Sequence, residues 1–286
     1  MKKIIKIILW SLAGLILAFV LFVAFFFYKV RYGLPIYETE VPVINFTEGQ
    51  KAVLLFSKST GFRHAESIDA GKNVFAEMAV KNNWFLYSTE DGGVFNADQL
   101  AKFDVVIFNN STGKLLNDEQ KQVLANYVEG GGKLMAIHGA GDNSHGDFPW
   151  YVNNVPGAEF SHHALDPHLQ EATVMLNPVP DSLMIEGLPQ SFKHTDEWYV
   201  FLDNPRNKGF NIIYSIDGES IIPNGNFLWM TGKDFGMGKD HPVAWYKPTG
   251  KGQTFYTSMG HDALAWRQEG FVKMLEDAIK VKMANQ

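Results

Sequence analysis

The sequence predicts an α/β protein: a parallel sheet flanked by helices, with an added β-rich C-terminal part and an N-terminal transmembrane helix. Three observations carry this. Short continuous apolar runs, AVLLF at 52–56, DVVIFN at 104–109 and KLMAI at 133–137, alternate with stretches of helical periodicity. That is the pattern of strands buried on both faces and joined by right-handed crossovers. After residue 170, strand-like runs follow one another with few helical signals. Near the N-terminus, no charge interrupts the twenty-two residues from Ile7 to Tyr28.

The elements follow in order. After the first strand at 52–56, Ile68, Gly71, Val74, Phe75 and Met78 keep one stripe at helical spacing, predicting a helix over about 66–81. WFLYS at 84–88 is the second strand, and Asn96 caps a short helical turn to Lys102. The third strand at 104–109 leads to a helix with a full start signal. Asn117 is its N-cap, Asp118 and Glu119 lie in its first turn, and Gln120 stands at the capping-box position. Leu124, Tyr127 and Val128 form its buried face, and Gly130 to Gly132 stop it before the fourth strand at 133–137. Residues 140–168 lose all period, and such a long irregular stretch inside a compact domain points to function. Strands are expected at 171–177, 197–202, 210–216, 242–247 and 253–259. A closing helix is expected near 268–283, with Phe271, Leu275, Ala278 and Ile279 on one side.

Twenty-two helical residues span roughly 33 Å, enough for a hydrocarbon core. No small-residue cleavage pattern follows FFFYKVRYG, so residues 1–31 read as an uncleaved anchor rather than a cleaved signal sequence. Residues 32–50, with Pro35 and Pro42 and no sustained period, read as a tether, and 51–286 as the globular domain. Lys2, Lys3 and Lys6 precede the span, against Lys29 and Arg31 after it. This favours a single-pass inner-membrane protein with its domain outside the cytoplasm. Residues 1–31 carry five Lys or Arg and no acid, so the net charge of −6 becomes −11 for the remainder. Such a domain lacks the basic stripe that nucleic acid requires. No cysteine occurs, which excludes disulfides, thiolate nucleophiles and cysteine-ligated metals. Neither a dinucleotide fingerprint nor a P-loop is present.

Histidines recur at strand ends. His138 directly follows the fourth strand, with Gly139 and Gly141 behind it, where α/β enzymes place a nucleophile on a tight strand-to-helix turn. His261 follows the last strand, beside Asp262, and His64 lies a few residues beyond the first, in STGFRH with Thr60 and Arg63. In an open α/β sheet that edge is the ligand-binding edge. His138, Glu197 and His261 are the candidate catalytic groups. Thr60, Arg63, His64, Asn110, His163, Trp198 and Tyr199 are candidate substrate-binding residues. A carboxylate flanked by aromatic rings, as in Glu197-Trp198-Tyr199, suits a sugar. Of the adjacent His162 and His163, only one is expected to enter the site, because neighbours on an extended segment point apart. His241 reads as structural, and His145, His168 and His194 as ordinary surface residues. A cofactor is not specified. If a divalent metal is bound, His138, His163 and Glu197 are the donors to consider, although no H-x-x-x-H helix motif is present.

In their order and spacing, GFRH at 61–64, GGGKLMAIHGA at 130–140, SHH at 161–163, DEWY at 196–199, HPVAWYK at 241–247 and GKGQTFYTSMGHD at 250–262 resemble the trehalose-utilisation, or ThuA-like, family. The resemblance covers nearly everything from Lys51 onward. It implies a flavodoxin-like sheet similar to that of class I glutamine amidotransferases, and a pocket lined by His64, His138, His163, Glu197 and His261. In those amidotransferases a cysteine sits on the nucleophile turn; here His138 does, so glutamine hydrolysis by that route is excluded. The resemblance also implies catabolism of trehalose and related disaccharides through oxidised sugar intermediates. The expected function is therefore His/Glu acid–base chemistry on a sugar or keto-sugar by a membrane-anchored protein. The alternative is a non-catalytic carbohydrate-binding or envelope-interaction module, using Trp150, Trp198, Trp229 and Tyr199 as stacking surfaces.

Overall fold

A computed structural model describes residues 2–180 and 185–281. Its elements are α1 (Lys2–Tyr32), β1 (Ala52–Phe56), α2 (Ala65–Asn82), β2 (Phe85–Thr89), α3 (Ala97–Leu100), β3 (Val105–Asn109), α4 (Asp118–Glu129), β4 (Lys133–Ile137) and α5 (Pro149–Asn154). They continue with β5 (Phe160–His162), β6 (Gln170–Leu176), β7 (Ser191–Asp196), β8 (Val200–Phe201), β9 (Asn211–Ile216), β10 (His241–Thr249), β11 (Gly252–Thr257) and α6 (Glu269–Lys280). Nine strands form one sheet in the order β2-β1-β3-β4-β11-β10-β9-β6-β7. Pairing is parallel from β2 through β11 and antiparallel from there on.

The period of two along each strand divides the core. Val53, Leu55, Val105, Ile107, Met135 and Ile137 face Phe75 and Met78 of α2 and Phe271, Leu275 and Ile279 of α6. Leu54, Phe56, Val106, Phe108, Leu134 and Ala136 face Leu124 and Val128 of α4 on the other side. With both faces covered, no polar alternation remains in these strands, hence their continuous apolar runs. The capping box at Asn117 and Gln120 is formed as the sequence predicts.

The differences are local. Of EWYVFL only Val200–Phe201 is strand, because the chain leaves the large sheet after Asp196 and pairs as β8 with β5. The strand of this region is instead β7, SFKHTD, whose inward residues His194 and Asp196 are polar; that masked its period. The irregular stretch 140–168 contains α5, entered through Pro149 at its first turn, and β5. The terminal helix ends at Lys280, and residues 282 and 283 of the expected helix lie outside the described residues.

α1 is long and apolar enough to cross a membrane, and none of its described residues is buried. Residues 33–50 carry no regular structure, yet they run against the domain. Glu38 pairs with the buried Lys58 and accepts from Gly92 N at 2.9 Å, and Phe46 packs its ring on Phe85 and Phe103. At the exit from α1, Leu34 N donates to Thr60 O at 3.3 Å.

Glu276 on α6 accepts from Asn82 Nδ2 (2.8 Å), Lys81 Nζ (2.9 Å) and Lys280 Nζ (2.6 Å), tying α6 to α2. Burial alone would raise its pKa, but Lys280, Lys81 and Asn82 outweigh it and hold the carboxyl at about 2. A group ionised more easily in the folded state stabilises above its unfolded pKa and loses that contribution as pH falls through the folded one. Glu276→Gln should therefore lower the melting temperature at pH 7, and the gap from wild type should close as pH drops from about 4.5 towards about 2. Thermal melts across that range check this.

Candidate active site

The carboxyl ends of the parallel strands bring distant parts of the chain together. His64 lies in the loop from β1 to α2, Asn110 follows β3, His138 follows β4, and His261 stands a few residues beyond β11. Glu197 sits in the bend between β7 and β8, His163 just after β5, and His168 on the approach to β6. His138 has φ +45, a left-handed backbone that few non-glycine residues adopt. The tight turn after it is possible because Gly139 has no side chain: a Cβ there would meet the His64 ring at 2.9 Å.

Glu197 is the centre. Its Oε2 lies 3.3 Å from His138 Nε2 and 3.2 Å from His261 Nδ1. Its Oε1 lies 3.0 Å from His163 Nδ1 and 2.6 Å from His168 Nε2. His138 Nε2 and His261 Nδ1 are 3.1 Å apart. The His64 ring stands edge-on to both, with centroids 4.9 and 5.1 Å away. His64, His138 and Glu197 are buried, whereas His163, His168 and His261 are partly open to solvent at the mouth.

The electrostatics follow from the burial. Loss of water would raise the Glu197 carboxyl, but the imidazoles of His138, His163 and His261 hold it far below the usual carboxylate range. Burial would likewise lower His163 and His261, but Glu197 raises both above an ordinary histidine. His64 is pushed well down by burial, and further by His138 and His261, so it is neutral at pH 7. The site thus offers an ionised carboxylate, histidines that hold protons readily, and one that does not. Such a set can move protons to and from a bound molecule.

A second carboxylate builds the scaffold. Asp196 Oδ2 accepts from Gly260 N (2.7 Å) and His194 Nε2 (2.7 Å), and Oδ1 accepts from His261 N (3.0 Å) and Glu197 N (2.9 Å). It fixes the backbone of both His261 and Glu197. His138 Nδ1 lies 2.7 Å from the Ser258 carbonyl. A carbonyl can only accept, so Nδ1 carries the proton and Nε2 faces Glu197. His241 Nε2 lies 2.9 Å from the Tyr199 carbonyl and braces the segment bearing Glu197.

The expected site residues divide accordingly. His64, His138, His163, Glu197 and His261 meet in one place, while His162 turns towards Phe235. Tyr199 is a buried wall, its ring 4.3 Å from those of His138 and Phe160. Asn110, at φ +53, is a brace: Oδ1 accepts from Gly139 N at 3.1 Å, and Nδ2 donates to Ser67 Oγ and the Gly260 carbonyl. Three expected substrate contacts are engaged elsewhere. Thr60 bonds to the Lys114 carbonyl beneath the exit of α1, Arg63 forms a two-pronged pair with Glu90, and Trp198 is buried with its Nε1 on the Gln170 carbonyl. Trp198 therefore gives no stacking surface, and Trp150 is bonded to Glu129. Two histidines read as surface residues, His145 and His194, are buried, on the Ser111 carbonyl and on Asp196. The third, His168, belongs to the site. Its loop has no periodicity to place it, so only the fold reveals it. A cleft of about 560 Å³ lies at the opposite, amino edge of the sheet, lined by Lys51, Tyr127 and Lys133 and by no histidine.

The model of the trehalose-utilisation family ThuA matches residues 52–281. The chain belongs to the ThuA family. ThuA proteins have the class I glutamine amidotransferase-like fold. A ThuA-like protein from Bacteroides uniformis is 20% identical, with 82% of this chain and 92% of that one covered, at a TM-score of 0.64. One from Parabacteroides merdae is 16% identical over 82% and 90%, at 0.60. A cytoplasmic protein from Salmonella typhimurium LT2 is 11% identical over 81% and 99%, at 0.52. These likenesses show the ThuA fold alone. No curated protein matches the chain.

Asp196→Asn puts an amide where four N–H donors converge, leaving at least one buried donor unpaired. The expected cost is about 1–3 kcal/mol of stability. It is read by denaturant unfolding, together with a changed His261 signal in histidine NMR spectra.

Proposed function

We propose that this ThuA protein acts on a sugar or keto-sugar of the disaccharide or trehalose type, by proton transfers among His138, Glu197 and His261. The observation behind this is the convergence of imidazoles on one buried carboxylate, at the edge where open α/β sheets bind ligands. Glu197, ionised throughout, orients the rings and stabilises their charged forms, as a triad carboxylate does. His138 and His261 give and take the protons. In a keto-sugar, a base removes the C–H proton beside the carbonyl and the electron pair moves towards the carbonyl oxygen. In isomerisation an imidazolium protonates that oxygen to an enediol, whose neighbouring hydroxyl then loses its proton as the former carbonyl carbon gains one. In elimination the enolate re-forms its carbonyl as the C–O bond to the departing sugar breaks and an imidazolium protonates the leaving oxygen. With no cysteine in the chain, the thiol route of the related amidotransferases has no counterpart.

The test is turnover of trehalose, other disaccharides and their keto derivatives by the full chain in detergent. His138→Asn retains a residue that tolerates left-handed backbone and should cost ~10²–10⁴-fold in rate, as should Glu197→Gln, with circular dichroism unchanged. Full turnover in both variants would remove the assignment.

Residues 1–31 then serve as the anchor, 32–50 as the connection, and 51–286 as a domain held outside the inner membrane. Support comes from the uncharged span Ile7 to Tyr28 and the lysines before it. Deleting residues 2–31 should move the protein from the membrane to the soluble fraction. Protease added to intact spheroplasts should digest the domain; a protected domain reverses the orientation.

A further inference from the structure

We propose that the same pocket is a divalent transition-metal site, with one ring nitrogen from each of His64, His138 and His261 and Oε2 of Glu197 as ligands. This deepens the sugar reading, and rests on it for the use made of the ion; the donor set itself is read without any sugar.

The geometry carries it. The four donor atoms lie within 4.8 Å of one another. His138 Nε2, His261 Nδ1 and Glu197 Oε2 form a triangle with edges of 3.1, 3.2 and 3.3 Å. Donors about 2.0–2.1 Å from a tetrahedral ion stand about 3.3–3.4 Å apart, so the triangle is close to one face of such a shell. His64 stands against this face and supplies the fourth corner.

The proton count points the same way. The Ser258 carbonyl accepts from His138 Nδ1, which selects the tautomer whose Nε2 lone pair points to the triangle. Glu197 Oε2 turns another towards it. His261 Nδ1 can offer one hydrogen to these two acceptors, and cannot serve both well. His64 Nδ1 is buried with no hydrogen-bond partner, in a side chain more than nine-tenths buried. Lone pairs are in excess at the triangle, and a cation there satisfies His138 Nε2 and Glu197 Oε2 together, with the His64 ring beside it.

The surroundings are those of a ligand set. Metal-bound histidines commonly donate their second N–H to a carbonyl or carboxylate, which fixes the tautomer; Ser258 does this for His138. His163 and His168 occupy Oε1 of Glu197, leaving Oε2 as a single-point ligand. Asp196 fixes the backbone of both Glu197 and His261. Three imidazoles and one carboxylate, with no thiolate, select a first-row transition ion such as Zn²⁺ over Ca²⁺ or Mg²⁺. With the ion in place, His138 and His261 are held as ligands and their proton-carrying role passes to His163 and His168 at the mouth, while a sugar hydroxyl or carbonyl oxygen would enter as a fifth ligand.

The test uses the full chain in detergent, stripped with a chelator and titrated with Zn²⁺ by calorimetry, with metal content read by mass spectrometry. We expect one Zn²⁺ per chain, a raised melting temperature, and a visible spectrum of tetrahedral type when Co²⁺ replaces it. His261→Ala, and the shape-preserving Glu197→Gln, should each weaken Zn²⁺ binding by more than about 100-fold, and His163→Ala by about 10-fold, with circular dichroism unchanged. A folded protein that takes up no stoichiometric Zn²⁺, or binds it undiminished in His261→Ala and Glu197→Gln, overturns the site. Thermal shifts with keto-disaccharides on the same preparations separate the two readings. Zn²⁺ uptake with no sugar response sustains the metal site while the sugar reading fails. A sugar response on protein that takes no Zn²⁺ sustains the sugar reading and overturns the metal site.

Discussion

A carboxylate withdrawn from water has to be met by polar partners, and Glu197 is met by four imidazoles delivered from three separate stretches of chain. No single segment could satisfy it. The requirement therefore reaches back into the fold. β4 and β11 lie side by side, so that the residues after them, His138 and His261, come within 3.1 Å. The short β5–β8 pair brings His163 to the bend that holds Glu197. An isolated buried charge is too costly to keep; the histidines make this one tenable, and in return it fixes where they point.

Beneath it lies a second buried acid with a different task. Asp196 and Glu197 are neighbours in sequence but face apart at the point where the chain leaves β7. Asp196 reaches backbone N–H groups and His194, whereas Glu197 reaches side chains only at its carboxylate. Asn110 completes the frame by joining the turn after β4 to the start of α2 and the turn after β11. The reactive side chains are thus held by main-chain contacts that do not depend on what enters the pocket, an arrangement suited to preorganised chemistry.

The parallel half of the sheet was legible in the sequence because its strands are covered on both faces, so AVLLF and KLMAI read as uninterrupted apolar runs, and because Asn117 and Gln120 announce α4. The strand-end histidines were legible for the same reason: a clear strand has a clear end. Legibility failed where polar residues are buried. His194 and Asp196 face inward on β7 and disguise that strand as a loop. His168 lies in a segment with no period, and only its contact with Glu197 distinguishes it from a solvent-facing histidine. Trp198 erred the other way, its place beside a carboxylate suggesting an open stacking face where the chain in fact turns the ring into the core.

The adjacency of Asp196 and Glu197 also determines where the chain can change length. Because the two acids serve opposite sides of one bend, adding or removing a single residue between Ser191 and Asp196 would carry each towards the other's place, stranding the amides of Gly260 and His261 and emptying the centre of the histidine cluster at once. The stretch between Gly146 and Pro149 contributes no side chain to either carboxylate. A change of loop length is thereby tolerated at the rim and not at the turn that follows β7.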